Sequence, residues 1–238
     1  MGKRNTGGTR HETNMPKNTI SLFQKKTNLQ AIMKIKIKSL TYLIATFFLF
    51  SSFQSNDVTI CKNGKAVSRI VIPANPTEIE KHSSVVLQNY LKQITGAEFE
   101  IVSDENAAKS NDINIGKVNR SEIAEIDFPE LEEDGFRIIT KNSRLTIAGG
   151  SEKGTMYGVY NFLEEYLGCR KYTSKISVIP AQFNIAVNNI NDKEIPVFKF
   201  REVLYRDVYN PEYMEWHRLD NHGSYNQKGD WGGWCHTT

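Results

Sequence analysis

Two amphipathic helical stretches, each stopped by a glycine and each set among short apolar runs, constrain this 238-residue chain more than any other feature. In the first, Ile79, Val86, Leu87, Tyr90, Leu91 and Ile94 recur at helical spacing, with Asn75-Pro76 opening the stretch and Gly96 closing it. In the second, Ser151 stands at the N-cap, Met156, Val159, Tyr160, Leu163 and Leu167 repeat every three to four residues, and Gly168 ends the run. Each helix has one apolar stripe that must be buried against another layer. Strand candidates at residues 58–60, 69–72, 99–102, 113–115, 135–140, 144–148 and 183–187 supply that layer. Asn63-Gly64 is a strong hairpin turn pair between the first two. Lys141-Asn142-Ser143 joins an antiparallel hairpin whose Phe136, Ile138, Leu145 and Ile147 face inward, while the acidic residues 120–134 read as a loop or a short helix. The pattern predicts an α+β sandwich, a mostly antiparallel sheet with two helices on one face.

Charge divides the chain. Residues 1–38 hold nine of its 30 Lys/Arg and one, Glu12, of its 27 Asp/Glu, which leaves 21 basic against 26 acidic residues for the remainder. The folded part is therefore acidic, and a nucleic-acid partner is not expected of it. Met33-Lys34-Ile35-Lys36-Ile37-Lys38 precedes an uncharged apolar run at residues 40–50 and then Ser51-Ser52-Phe53-Gln54-Ser55. That is the order of a secretory signal peptide, and the apolar run is shorter than the roughly 20 residues of a spanning helix. Residues 33–56 are expected to be the signal peptide, cleaved around 52–56, with an uncleaved membrane anchor as the alternative. Met33 is then expected to be the true start and residues 1–32 not to belong to the protein. The product is expected to be secreted or periplasmic, touching the membrane only through the signal segment during export. Cys61, Cys169 and Cys235 permit one disulfide or none and are too few for a disulfide scaffold.

Composition shifts near residue 190. Asn188 to Lys193 is a polar linker, Pro196 breaks the chain, and Val197-Phe198-Lys199-Phe200 reads as a new strand. All three tryptophans, Trp216, Trp231 and Trp234, come after it. A piece of about 40 residues is too small to bury a core of its own, so 195–238 are expected to begin a second domain.

Two stretches carry a resemblance: Ser84-Val85-Val86-Leu87-Gln88-Asn89-Tyr90-Leu91-Lys92-Gln93-Ile94-Thr95-Gly96-Ala97, and the run from Gly154-Thr155-Met156-Tyr157-Gly158 to Gly168-Cys169-Arg170-Lys171-Tyr172. Together they resemble the second domain of β-hexosaminidases and the N-terminal domain of α-glucuronidases, where a small α/β domain precedes a catalytic (β/α)8 barrel. Pro196-Val197-Phe198-Lys199-Phe200-Arg201-Glu202 and Trp231-Gly232-Gly233-Trp234-Cys235-His236-Thr237 are similar to the entry into the barrel-like region of secreted bacterial proteins of this kind. The resemblance covers about residues 58–238 and specifies no substrate. It implies such a domain over 57–190, then at 195–238 the start of a truncated barrel-like domain. It further implies a non-catalytic N-terminal part of a secreted glycoside-hydrolase-like protein acting on polysaccharide or glycan. The alternative is a stand-alone carbohydrate-binding or structural module. Without the barrel's carboxylates, the chain alone is expected to hydrolyse no glycoside.

Each candidate site has a plainer rival. Gly149-Gly150 before a helix suggests a phosphate loop, yet neither G-x-G-x-x-G nor G-x-x-x-x-G-K-[ST] is present, and a tight strand-to-helix turn explains the glycines better. Glycosidases use paired carboxyls; Glu202 and Asp207 flank the expected first barrel strand, but Arg201 and Arg206 beside them fit an ordinary ion-pair network equally. His222, Tyr225, Trp231, Trp234 and His236 combine flat aromatic faces with polar groups, as sugar pockets do, and would serve as well in the core of a further domain. Arg201 and His236 are the first candidates for substrate contact, chiefly through the resemblance. His217 and His222 are five apart and Cys235-His236 adjacent; neither matches a common zinc spacing. No cofactor is expected.

Overall fold

The computed structural model describes residues 57–203 and 206–220. Strand β1 (Val58–Lys62) turns at Asn63 and Gly64, φ +51° and +69°, into β2 (Lys65–Ala66). Positive φ at both turn positions matches the right-handed twist of a two-residue hairpin. The turn thus forms where the sequence places it, but its return strand is β2; the next run, β3 (Ile70–Ile72), enters a different sheet.

Helix α1 (Glu78–Thr95) starts two residues later than Asn75-Pro76 suggests. Thr77 is the N-cap, its hydroxyl accepting from the Glu80 N–H while the Glu80 carboxylate accepts from the Thr77 N–H, so two otherwise orphaned donors are satisfied together. Gly96 closes the helix at φ +75°. Strands β4 (Ile101–Ser103) and β5 (Ile113–Ile115) follow. Two single 3-10 turns (Ser121–Glu125, Pro129–Leu131) occupy the acidic stretch. The hairpin of β6 (Phe136–Lys141) and β7 (Arg144–Gly149) turns at Asn142 and Ser143, both at positive φ. Helix α2 (Glu152–Asn161), capped by Ser151, continues through a π turn (Phe162–Tyr166). The remaining strands are β8 (Arg170–Lys171), β9 (Ser177–Val178), β10 (Ile185–Val187) and β11 (Asn191–Glu194). A 3-10 turn (Arg206–Tyr209) leads into the short helix α3 (Pro211–Trp216).

The α+β class holds, with both long helices packed on one core. The main sheet, however, is mixed rather than mostly antiparallel. Its order is β11-β6-β7-β5-β3-β4; β3 lies parallel to both β4 and β5, and β5 parallel to β7. The cause is α1 itself. A helix between two strands returns the chain to the same end of the sheet, and only a crossover of this length permits parallel pairing. Alternation of side chains along a strand carries no information on its direction. Antiparallel pairs are confined to β6/β7 and β11/β6 in this sheet, with β10-β1-β2 and β8-β9 as smaller antiparallel sheets.

Two further segments depart from expectation. The polar stretch at 191–194 is an edge strand, not a linker, and charged side chains are what solvent-facing edges tolerate. Residues 197–200 form no strand; Val197 is 89% and Phe198 73% exposed. Among the described residues there is no closed barrel.

Side-chain alternation places Ile138 and Ile147 beneath the helices, in the core cluster with Leu87, Leu91, Tyr157 and Tyr160. Their neighbours Ile139 and Ala148 face the other way and meet Ile126, which follows the first 3-10 turn, and Leu131, which ends the second. The sheet is therefore covered on both sides, and α2 sits very close to it. At Gly154 a Cβ would lie 2.3 Å from the Gly135 carbonyl oxygen. Glycine to alanine in a helix ordinarily stabilises by about 1 kcal/mol. Here Gly154→Ala is expected instead to destabilise by about 1–3 kcal/mol through overpacking; a urea midpoint at or above that of the parent protein would refute this close approach.

Candidate functional site

The turn at Gly149-Gly150 has no phosphate cradle to offer. The Gly149 N–H donates to Thr155 Oγ1 (2.9 Å), that of Gly150 to the Gly135 carbonyl (3.0 Å), and those of Lys153 and Gly154 to Ser151 Oγ (3.1 and 3.4 Å). These donors close a tight strand-to-helix turn, as the glycines suggest.

The charged side chains of the candidate region gather where residues 201–220 meet the helical layer. Arg201 is held on several sides. Its Nη2 donates to Asp134 Oδ2 (2.5 Å), its Nε to the Arg218 carbonyl (2.7 Å), its Nη1 to the Phe198 carbonyl (2.5 Å), and its backbone N–H to Asp220 Oδ2 (2.9 Å). Lys153 donates to Asp220 Oδ1 (2.6 Å) and lies 3.3 Å from Asp134 Oδ1. The Tyr157 ring centroid is 5.6 Å from both the Lys153 ammonium and the Arg201 guanidinium carbon. Two cations and two carboxylates thus neutralise one another above an aromatic face. Burial works against each cation, yet the carboxylates prevail, and both Arg201 and Lys153 are held more firmly protonated than usual. Beside this network, a cleft of about 200 Å³ runs between Leu131, Asp134, Lys153, Phe198 and Lys199. A second depression, of about 260 Å³, lies along the β6/β11 edge near Arg137, Lys141 and Asn191. Both are smaller than the roughly 300–1,000 Å³ of most small-molecule sites.

Asp207, in the 3-10 turn, accepts from the Ser174 hydroxyl and from the Ser174 N–H (3.0 Å). Those two bonds hold its carboxyl below the ordinary carboxylate range. Glu202 is exposed and lies in no helix or strand. His222, Tyr225, Trp231, Trp234, Cys235 and His236 lie outside the described residues, as do the signal segment 33–56 and residues 1–32.

A second constellation escaped the sequence reading. On α3, Glu212 accepts from the Tyr90 hydroxyl (2.7 Å) and the Lys171 ammonium (2.8 Å). Glu215 accepts from the Tyr160 hydroxyl (2.7 Å), and His82 Nε2 lies 2.9 Å from the same oxygen. Trp216, 2% exposed, sits between Tyr90 and Tyr160 with ring centroids 5.5 and 5.3 Å apart. Burial acts to raise the Glu212 pKa, but the Lys171 and Tyr90 bonds outweigh it and hold the carboxyl low. His217 Nε2 lies 3.0 Å from the Lys171 carbonyl oxygen. Only the helical spacing of Tyr90 and Tyr160 was readable, and it marks them equally well as plain core residues.

Cys61 and Cys169 are buried as free thiols, and burial pushes the Cys169 thiol up to about 11. Among the described residues no three His, Cys, Asp or Glu side chains converge as a metal site, and no helix is long and apolar enough to cross a membrane.

Residues 53–162 match the sequence model of the glycosyl hydrolase family 67 N-terminus. A probable alpha-glucuronidase A from Aspergillus clavatus is 54% identical over 35 residues, which are 15% of this chain and 4% of that protein. Among solved structures, a family GH115 4-O-methyl-α-glucuronidase with specificity for decorated arabinogalactans aligns at TM-score 0.41 and 16% identity, over 60% of this chain and 19% of its own. The GH20 β-N-acetylhexosaminidase from Streptomyces coelicolor aligns at TM-score 0.39 and 15% identity, over 61% and 24%. The chain therefore spans a small part of each relative's length.

Proposed function

We propose, from the match of residues 53–162 to the glycosyl hydrolase family 67 N-terminus, that the chain is the non-catalytic N-terminal part of a secreted carbohydrate-active protein acting on a polysaccharide or glycan. One observation supports this above the others: the charged groups that the candidate region brings together neutralise each other. Arg201 and Lys153 are saturated by Asp134 and Asp220, so they fasten residues 201–220 to the domain rather than present charge to a ligand. A glycosidase acid must keep its proton at working pH, which requires a raised pKa. Asp207 is shifted the other way, and ionised it serves as a hydrogen-bond acceptor for Ser174. The domain's part is to anchor and orient the chain that follows. The basic leader at 33–38 and the apolar run behind it support export.

A second reading, a carbohydrate-binding module, draws on Tyr172, Phe198 and Tyr209, exposed at 61%, 73% and 61%. Flat exposed rings can stack on sugar C–H faces. The purified chain is expected to show no turnover on a panel of aryl-glycosides that includes glucuronides and N-acetylglucosaminides. Turnover abolished by Glu202→Gln or Asp207→Asn would overturn the first reading. Retardation in polysaccharide affinity gels, lost in Phe198→Ala, would favour the second.

A further inference from the structure

Residues 206–220 are fastened to the domain in a different way from everything else described. Helix α3 has six residues, whereas isolated helices shorter than roughly 12–15 residues are marginal in water. Its order therefore comes from what it touches. The segment adds no strand to any sheet among the described residues. Of its buried apolar side chains, Val208, Tyr213 and Trp216, only Trp216 belongs to the main core. The segment's other ties run almost wholly through side chains: Asp207 to Ser174, Glu212 to Tyr90 and Lys171, Glu215 to Tyr160 and His82, His217 to the Lys171 carbonyl, Asp220 to Lys153 and the Arg201 N–H, and Arg201 to the Arg218 carbonyl, with one backbone bond from the Asp220 N–H to the Arg201 carbonyl. Arg218 adds an ion pair to Glu194.

The receiving surface is polar at its rim and aromatic at its centre. Tyr90 and Tyr160 point two hydroxyl donors at two carboxylates three positions apart, and their rings bracket one indole. When the segment leaves, the two hydroxyls, the Lys171 ammonium and the His82 ring can all be hydrated, and no backbone ladder is broken. Docking also carries a standing cost. The Trp216 Nε1 donor is buried without a hydrogen-bond partner among the described residues, and a buried orphan donor favours the undocked state, where water can satisfy it.

We propose that residues 206–220 are a clasp that undocks and redocks as one unit while the sheet stays folded. The surface it covers, formed by Tyr90, Tyr160, Lys171 and His82, is a recognition site for a short helix that presents two carboxylates followed by an indole.

Amide hydrogen exchange on the full chain tests this. The amides of 206–217 are expected to exchange together, well before those of β5 and β7. The double variant Tyr90→Phe/Tyr160→Phe removes one hydroxyl–carboxylate bond at each carboxylate. Each lost bond to a charged group is expected to speed exchange in 206–217 by roughly 10–100-fold and to leave β5 and β7 unchanged. Exchange of 206–217 only in step with the strands, or equal acceleration of the strands in the variant, would overturn the clasp. Should the double variant fail to fold, Glu215→Gln removes one charge at the rim without disturbing the core and is expected to give the same selective acceleration. Recognition is tested separately in Trp216→Ala, where the clasp amides are expected to lose protection. A fluorescent peptide of residues 206–220 should then bind saturably, and a peptide carrying Glu212→Gln and Glu215→Gln should not. Absence of saturable binding to a variant whose own clasp is unprotected would overturn the recognition site.

Discussion

Arg144→Ala is expected to lower the free energy of unfolding by about 3–5 kcal/mol, because it strands a buried carboxylate without its partner. Glu122 is fully buried, and its Oε1 accepts from Arg144 Nη2 (2.6 Å), Arg144 Nε (3.0 Å) and Asn142 Nδ2 (2.9 Å). The pair pins the first 3-10 turn to the tip of the β6/β7 hairpin. Burial acts to raise the Glu122 pKa, but the Arg144 and Asn142 bonds win, and it lies below its ordinary 4.5. A carboxyl depressed in the folded state contributes stability that is present above its unfolded pKa and is lost as pH falls through the folded one. In the variant only the Asn142 and backbone bonds still oppose burial, and that contribution shrinks. Urea unfolding at neutral pH should therefore show the full deficit, and the gap between parent and variant should close as pH falls below 4.5. A deficit under about 1 kcal/mol, the range of exposed ion pairs, or one that does not change with pH, would show that the pair is solvated.

Phe136→Ala is expected to cost about 3–5 kcal/mol, through lost burial and the cavity left behind. The ring is fully buried on the helix-facing side of β6, and α2 crosses so closely that a Cβ at Gly158 would stand 3.2 Å from Phe136 Cβ. Backbone that tight cannot sink further to fill a void. Arg218 also rests over this ring, 5.3 Å from its centroid, so the substitution should loosen the end of the clasp as well. Phe136→Leu keeps most of the volume and should cost less than about 1.5 kcal/mol. Thermal and urea unfolding of the two variants check the ordering; equal losses would mean that the site relaxes around the smaller side chain.

What could be read before the structure was local. Periodicity located Leu87, Leu91, Val159 and Leu163 on buried stripes, and the turns at 63–64 and 141–143 declared themselves by residue type, the second proving one residue shorter because β6 runs through Lys141. Strand direction was legible in principle, because a helix stands between residues 70–72 and 101–103, yet the hairpin at 136–149 suggested a mostly antiparallel sheet. Residues 191–194 hid as a strand because an edge strand needs no apolar pattern. The site was harder still. Arg201 drew attention through its neighbours in a familiar stretch, but its partners Asp134 and Asp220 lie in segments with no pattern of their own. Tyr90 meets Glu212 only after the chain has passed through eight strands, a distance that single-sequence periodicity does not span.

The pairing of β11 with β6 works as a ruler for everything downstream. Glu194 stands opposite Phe136, so the chain leaves the sheet beside Gly135 and Asp134, where Arg201 finds its carboxylate. A slip of one residue would displace that exit by about 3.3 Å and turn every β11 side chain to the opposite face. Glu194 would lose Arg218, and Arg201 would have to bridge the extra distance to Asp134. The alignment of one polar edge strand thereby sets where the helical clasp can reach.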